Sequence, residues 1–279
     1  MDKYIQSNSI NLHYLEKENL GKPIILLMHG LTANAHCFDS FLEGLKDFHI
    51  LSVNLRGRGL SDKPNSNYTM EDHACDIIGL MDNLHIDRVV IGGHSFGALL
   101  SIFIAANYPE RVTKVILMDA AARLHPNVKE MVAPAMLRLD KIWQNFDTYL
   151  SEMKAAPYVK NEWLPEMLSY YKADVKENKD GTFTTQSTLH HMSLAIEGAL
   201  SLGIKWLEYI SAIQQPVILI NATENYGCDA PILPKEFAME TVSLFKNCEY
   251  QHVSGNHLTM LFGKGAKESV VAIKNFLNR

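Results

Sequence analysis

The sequence lacks any apolar run long enough to cross a bilayer. Its longest, residues 24–28 and 98–106, fall far short of the about 20 residues a membrane helix needs. The opening residues, MDKYIQSN, contain no apolar core of the secretory-signal type, so a cytoplasmic location is expected. Cysteine is sparse. Cys37, Cys75, Cys228 and Cys248 form no C-x-x-C pair, which leaves a zinc site or redox motif without support. All four are expected to be free thiols, buried or half-buried, in a reducing compartment. Basic charge is not in excess either. The net charge is −5 and no basic face stands out, so nucleic acid is not an expected partner. There is no internal repeat and no low-complexity segment.

What is present fits an ordered globular chain. Hydrophobic residues make up 47% and charged residues 20% of the 279 positions, which argues against long disorder. That length suits one large α/β domain, or a core with an inserted lid. Short apolar runs at 24–28, 50–55, 89–92, 115–118 and 217–220 alternate with helical stretches such as 70–84 and 98–107. Near-continuous apolar strands separated by helices predict a mostly parallel central sheet covered on both faces. Residues 11–16 alternate more strictly and read as an antiparallel edge strand. Thr69 precedes Met70-Glu71-Asp72, the pattern of a capped helix start with acids at its positive end.

The rhythm breaks between residues 123 and 207, where no strand is evident and helical patterns dominate. This predicts a helical cap, residues 123–207, inserted after the sixth strand of a core built from 1–122 and 208–279. Met131, Met136, Trp143, Phe146, Met153, Trp163 and Met167 lie in it. They suit either the cap's own core or an apolar acyl or alkyl site.

Between the run 89–92 and the helix beginning at Phe96 lies Gly93-His94-Ser95-Phe96-Gly97, a G-x-S-x-G pattern. A sharp strand-to-helix turn brings backbone segments together, so side chains at Gly93 and Gly97 would clash. The serine is then held in strained backbone with its oxygen exposed. The free N–H groups of the following helix favour developing negative charge.

With that context the chain resembles the α/β-hydrolase superfamily over almost its whole length. Met28-His29-Gly30-Leu31-Thr32 resembles the family's His-Gly turn, and Arg56-Gly57-Arg58-Gly59-Leu60-Ser61 its R-G-x-G-x-S loop. The resemblance implies Ser95 as nucleophile, an oxyanion hole from the backbone N–H groups of Leu31 and Phe96, and His29 as a brace. The arginines of the second loop are expected to pin it, with Asp62 solvent-facing or bracing. The base is expected on the loop after the last strand, where His257 stands; His252 falls within the strand and reads as structural.

The acid is open. A typical member carries aspartate in the turn after the penultimate strand, but here that turn reads Ala222-Thr223-Glu224-Asn225, and Asn225 cannot supply charge. Asp119, at the end of the run 115–118, is placed as in one branch that resembles haloalkane dehalogenases; Asp229 and Glu224 are the alternatives. His94 is expected at the base of the elbow, and the adjacent His190 and His191 at the surface or a pocket wall.

The implied activity is acyl transfer to water on a small-molecule ester, with no metal and no organic cofactor. A lactonase, a thioesterase or a carbon–carbon bond hydrolase would use the same residues. A dehalogenase is disfavoured because Ser95 is not a carboxylate. A ligand-binding module without catalysis is the alternative from another class.

Overall fold

A computed structural model describes residues 2–159, 162–226 and 229–279; Cys228 lies outside them. Eleven strands are β1 (Asp2–Ser7), β2 (Ile10–Lys17), β3 (Ile24–Met28), β4 (His49–Val53), β5 (Val89–His94), β6 (Val112–Met118), β7 (Ile142–Trp143), β8 (Val175–Glu177), β9 (Phe183–Thr185), β10 (Val217–Ala222) and β11 (Cys248–Val253). The helices are α1 (Asp39–Gly44), α2 (Met70–Asn83), α3 (Phe96–Asn107), α4 (Val128–Leu137), α5 (Phe146–Lys154), α6 (Met167–Asp174), α7 (Leu189–Leu200), α8 (Lys205–Ala212), α9 (Lys235–Leu244) and α10 (Gly263–Leu277).

Eight strands form one sheet in the order β1-β2-β4-β3-β5-β6-β10-β11. Only the β1–β2 and β2–β4 pairs are antiparallel. Strand side chains alternate between faces, and the two cores follow that alternation. Leu26, Met28, Leu51, Val53, Ile91, Val115 and Leu117 pack with α2 and α3 on one face. Ile25, Leu27, Ile50, Val90, Ile116 and Ile218 pack with α1 and α10 on the other. Burial on both faces is why these strands read as unbroken apolar runs. Helix α2 starts at Thr69, whose side chain accepts from the Asp72 N–H while the Asp72 carboxylate accepts from Thr69 N–H, a complete capping box.

Three expectations change. Residues 11–16 belong to β2, which is paired on both sides, and the antiparallel edge strand is β1. β1 was not legible because most of its side chains are exposed or half-exposed, leaving little apolar signal. The region between β6 and β10 also contains strands: β7, β9 and β8 form a small antiparallel sheet. Strands of two or three residues are too short to show alternation. The boundary expected at residue 207 falls inside α8, which packs with Phe103 of α3 through Tyr209.

From β3 the chain moves to β4 on one side; from β5, β3's other neighbour, it moves to β6 on the opposite side. The loops leaving β3 and β5 therefore diverge and open a crevice at the carboxyl edge, the usual location of a ligand site in open α/β sheets.

Candidate active site

Ser95 sits between β5 and α3 with φ 53° and ψ −116°. A positive φ is costly for a residue with a Cβ. The conformation is held by the Ser95 N–H, which donates to Met118 O at 2.9 Å, and by Ser95 O, which accepts from Ala98 and Leu99 N–H. Glycine is required on either side. A Cβ on Gly97 would overlap the Met28 carbonyl, and one on Gly93 would overlap Gly97 backbone. Phe96 is the first residue of α3, so its N–H has no intrahelical acceptor.

Asp119 follows directly on β6, also at positive φ, 51°. This turn aims its buried carboxylate across the sheet edge. Oδ2 lies 2.6 Å from His257 Nδ1. Oδ1 accepts from Asn221 Nδ2 at 2.8 Å and from Ala222 N–H at 3.0 Å. A carboxylate held by three donors is fixed in position. It accepts the Nδ1–H hydrogen bond of the neutral imidazole, which leaves Nε2 as the bare acceptor nitrogen. Neither other carboxylate contacts the ring among the described residues. Asp229 is exposed, and Glu224 accepts from Gly255 N–H at 2.8 Å, bracing the turn before His257.

The His257 loop is held at several points. Asn256 Oδ1 accepts from Leu258 and Thr259 N–H, and Asn256 Nδ2 donates to Tyr158 O at 3.1 Å. His94 Nε2 donates to His257 O at 2.7 Å. The His94 and His257 rings lie 4.4 Å apart. Burial, and then the neighbouring His257, press the His94 pKa well below the ordinary histidine value. Tyr226 stands edge-on to His257 at 5.5 Å.

The loop after β3 is braced from beneath. His29 Nδ1–H donates to Gly30 O at 2.7 Å, and its Nε2 accepts from Leu55 N–H at 3.1 Å. Burial lowers its pKa to about 3, so it stays neutral in this acceptor role. Asp62 accepts from Asn11 N–H and is a loop brace. His252 contacts Thr223 at the surface. His190 is exposed, while His191 stacks on Tyr68. Cys37 is buried, and Cys75 and Cys248 are half-buried free thiols.

Ser95, His257, Leu31 and Phe96 line one cavity of about 310 Å³. Its other walls come from the β6–β10 segment: Val128, Val132, Ala135 and Met136 of α4, Ile196 and Leu200 of α7, and the rings of Tyr158 and Tyr170. Of the seven apolar residues singled out in that segment, Met136 alone reaches the cavity. Met131, Trp143, Met153 and Met167 are buried in the core instead. Arg138 was not anticipated. Its guanidinium pairs with Asp174 at 2.8 and 3.2 Å and donates to Thr32 O at 2.9 Å. Tyr149 Oη donates to the same carboxylate at 2.6 Å. Burial opposes the Arg138 charge, but Asp174 together with Tyr170, Tyr158 and Tyr149 carries its pKa above the ordinary arginine value. This pair ties the loop after β3 to α6. Among the described residues, no group of three or more His, Cys, Asp or Glu side chains could hold a metal ion, and no helix is long and apolar enough to cross a membrane.

The fold, the elbow and the strand-end residues together define a hydrolase scaffold. The family model for the alpha/beta hydrolase fold matches residues 23–225, and the chain belongs to that family. It is 37% identical over 120 residues to 2-(acetamidomethylene)succinate hydrolase of Mesorhizobium japonicum, covering 43% of this chain and 42% of that protein. It is 32% identical over 127 residues to epoxide hydrolase 4 of Homo sapiens, covering 44% and 34%. The matched segments thus span less than half of these relatives. The crystal structure of E-2-(acetamidomethylene)succinate hydrolase superposes with a TM-score of 0.84 at 22% identity, covering 100% of this chain and 99% of that one, a likeness of fold.

Proposed function

We propose that this chain is a serine hydrolase that cleaves a small-molecule ester or related carbonyl compound through an acyl-enzyme on Ser95. The observation that carries this reading is the 2.6 Å contact between Asp119 and His257, with His257 on the same cavity wall as the strained Ser95. His257 Nε2 takes the Ser95 proton as Oγ attacks the carbonyl. The Leu31 and Phe96 amides receive the oxyanion, and Asp119 stabilises the imidazolium. His257 then protonates the leaving group, and water repeats the cycle.

The β6–β10 segment acts as the cap that bounds the substrate. A cavity of about 310 Å³ is at the small end of the range for ligand pockets, about 300–1,000 Å³. The aliphatic side chains of α4 and α7 favour an apolar acyl or alkyl arm. Lactones, thioesters and β-diketones place the same kind of carbonyl before Ser95 and are the alternative substrates.

The test is a substrate panel of 4-nitrophenyl esters, lactones, thioesters, β-diketones and 2-(acetamidomethylene)succinate, run with wild type and Ser95→Ala. The expected result is a burst of product equal to the enzyme concentration on a good ester, and its loss in the variant. Full turnover by Ser95→Ala would refute the acyl-enzyme.

A further inference from the structure

The loop after β4 contains a buried cation that the proposed reaction does not yet use. Arg58 is fully buried, and no carboxylate is among its hydrogen-bond partners. Its Nε donates to Leu31 O at 3.0 Å. Its Nη1 donates to Arg56 O at 2.7 Å and to His73 Nε2 at 2.7 Å. His73 Nδ1–H is engaged with Thr69 O at 2.8 Å, so Nε2 is the bare nitrogen and the ring is neutral. Nη2 has no partner. The guanidinium carbon lies 4.9 Å from the centre of the Phe96 ring. The carboxylate of Asp76 is already held by two 2.6 Å bonds from Arg56.

Burying a guanidinium without a counter-charge is expensive. A loop clamp could be made with a neutral donor at less cost. The two residues that Arg58 touches toward the crevice are Leu31 and Phe96, which line the same cavity as Ser95 and are the proposed oxyanion donors. The negative charge that would complement this cation arises when a carbonyl there becomes tetrahedral. A fixed positive charge in a poorly solvated site acts on that charge without reorganising as it forms.

We infer that Arg58 is a positioning residue for the oxyanion hole: through Leu31 O and the Phe96 ring it holds both donor residues and supplies a positive field to the tetrahedral intermediate. The inference rests on the acyl-enzyme reading, deepens it, and assigns no contact between Arg58 and substrate. Burial brings the Arg58 pKa down to about 9, which leaves it charged at neutral pH.

The experiment compares Arg58→Lys and Arg58→Gln on 4-nitrophenyl acetate, with inhibition by a trifluoromethyl ketone, whose serine adduct carries the same oxyanion. Arg58→Gln keeps a donor for Leu31 O and loses the charge. It should lower kcat about 10²-fold, the scale of a lost oxyanion donor, with KM within about threefold, and weaken the ketone by the same factor as kcat/KM. Arg58→Lys should recover at least about tenfold of that loss. Equal kcat in the Lys and Gln variants, or a loss confined to KM, overturns the inference and leaves Arg58 a loop clamp. Where Arg58→Gln does not fold, Arg58→Lys decides alone. Its loss in kcat/KM must be matched by its loss in ketone affinity, and an unmatched loss overturns the inference. Ser95→Ala separates the two readings. If it keeps turnover, the acyl-enzyme fails; if it is inactive while the Arg58 variants keep wild-type kcat, only the role of Arg58 fails.

Discussion

At the carboxyl edge of the sheet, the proposed catalytic residues all stand within four positions of a strand end. Ser95 follows β5, Asp119 follows β6, Leu31 follows β3 and His257 follows β11. In the segment between β6 and β10, the cavity-lining residues are spread over three helices, α4, α6 and α7, and the connections between them, with charges buried among them. The contrast shows two ways of placing a side chain. At the edge, backbone conformation does it: positive φ at Ser95 and Asp119, and glycine at 93 and 97. In the covering segment, packing and one buried ion pair do it. Chemistry is therefore expected to be sensitive to single atoms at the edge, while stability and substrate range respond in the segment above.

The sharpest break of that comparison is Asp119→Asn. The amide keeps the shape but cannot favour the required imidazole tautomer, and kcat should fall about 10⁴-fold with the thermal midpoint little changed. Asp229→Asn and Glu224→Gln, measured beside it, should stay within about tenfold of wild type. An Asp119→Asn enzyme within tenfold of wild type would move the acid elsewhere.

Next comes Asp174→Asn, in the covering segment. It leaves the buried Arg138 charge uncompensated, which costs about 3–5 kcal/mol in such settings. Urea unfolding should show that loss. Arg138 also holds Thr32 O, so activity should fall through the loop after β3; unchanged stability would mean the pair is not supporting the segment.

A smaller effect is expected from pH. His29, His73 and His94 are buried with pKa values pushed below the ordinary histidine value, His29 to about 3. A group with a depressed folded pKa contributes stability that is present above its unfolded value and lost as pH falls toward the folded one. Between about pH 6.5 and 5, His29 alone should cost on the order of 2 kcal/mol. A urea midpoint that is flat from pH 7.5 to 5 would contradict neutral burial of these rings.

The smallest effect tests the cavity wall. Val132→Ala removes two methyl groups from α4, and KM for an ester with a short alkyl arm should rise about tenfold with kcat nearly unchanged. If kcat falls and KM does not, this wall positions the reacting carbonyl instead of binding the arm.

Much of the edge was legible because its signals are local. Gly93 and Gly97 flank one serine, apolar runs mark each strand, and His257 stands just before the last helix. Asp119 was one of three open positions, since a carboxylate 138 residues from its histidine shows no spacing signal. Asn221, which holds Asp119, is the penultimate residue of β10, just before the turn that lacks an aspartate. The covering segment was less legible. Arg138 and Asp174 are 36 residues apart and each reads as an ordinary surface charge. Tyr158, Tyr170 and Val132 carry no pattern that separates a cavity wall from core.

The sequence by itself determined the buried strands of the main sheet, the elbow and the residue types proposed for acyl transfer, because strand burial and tight turns are written in neighbouring residues. Tertiary structure alone decided which carboxylate meets His257, which side chains bound the cavity, and that the Arg58 guanidinium lies against Leu31 and Phe96. Those are meetings between segments far apart in the chain, and only the order of strands in the sheet brings them together.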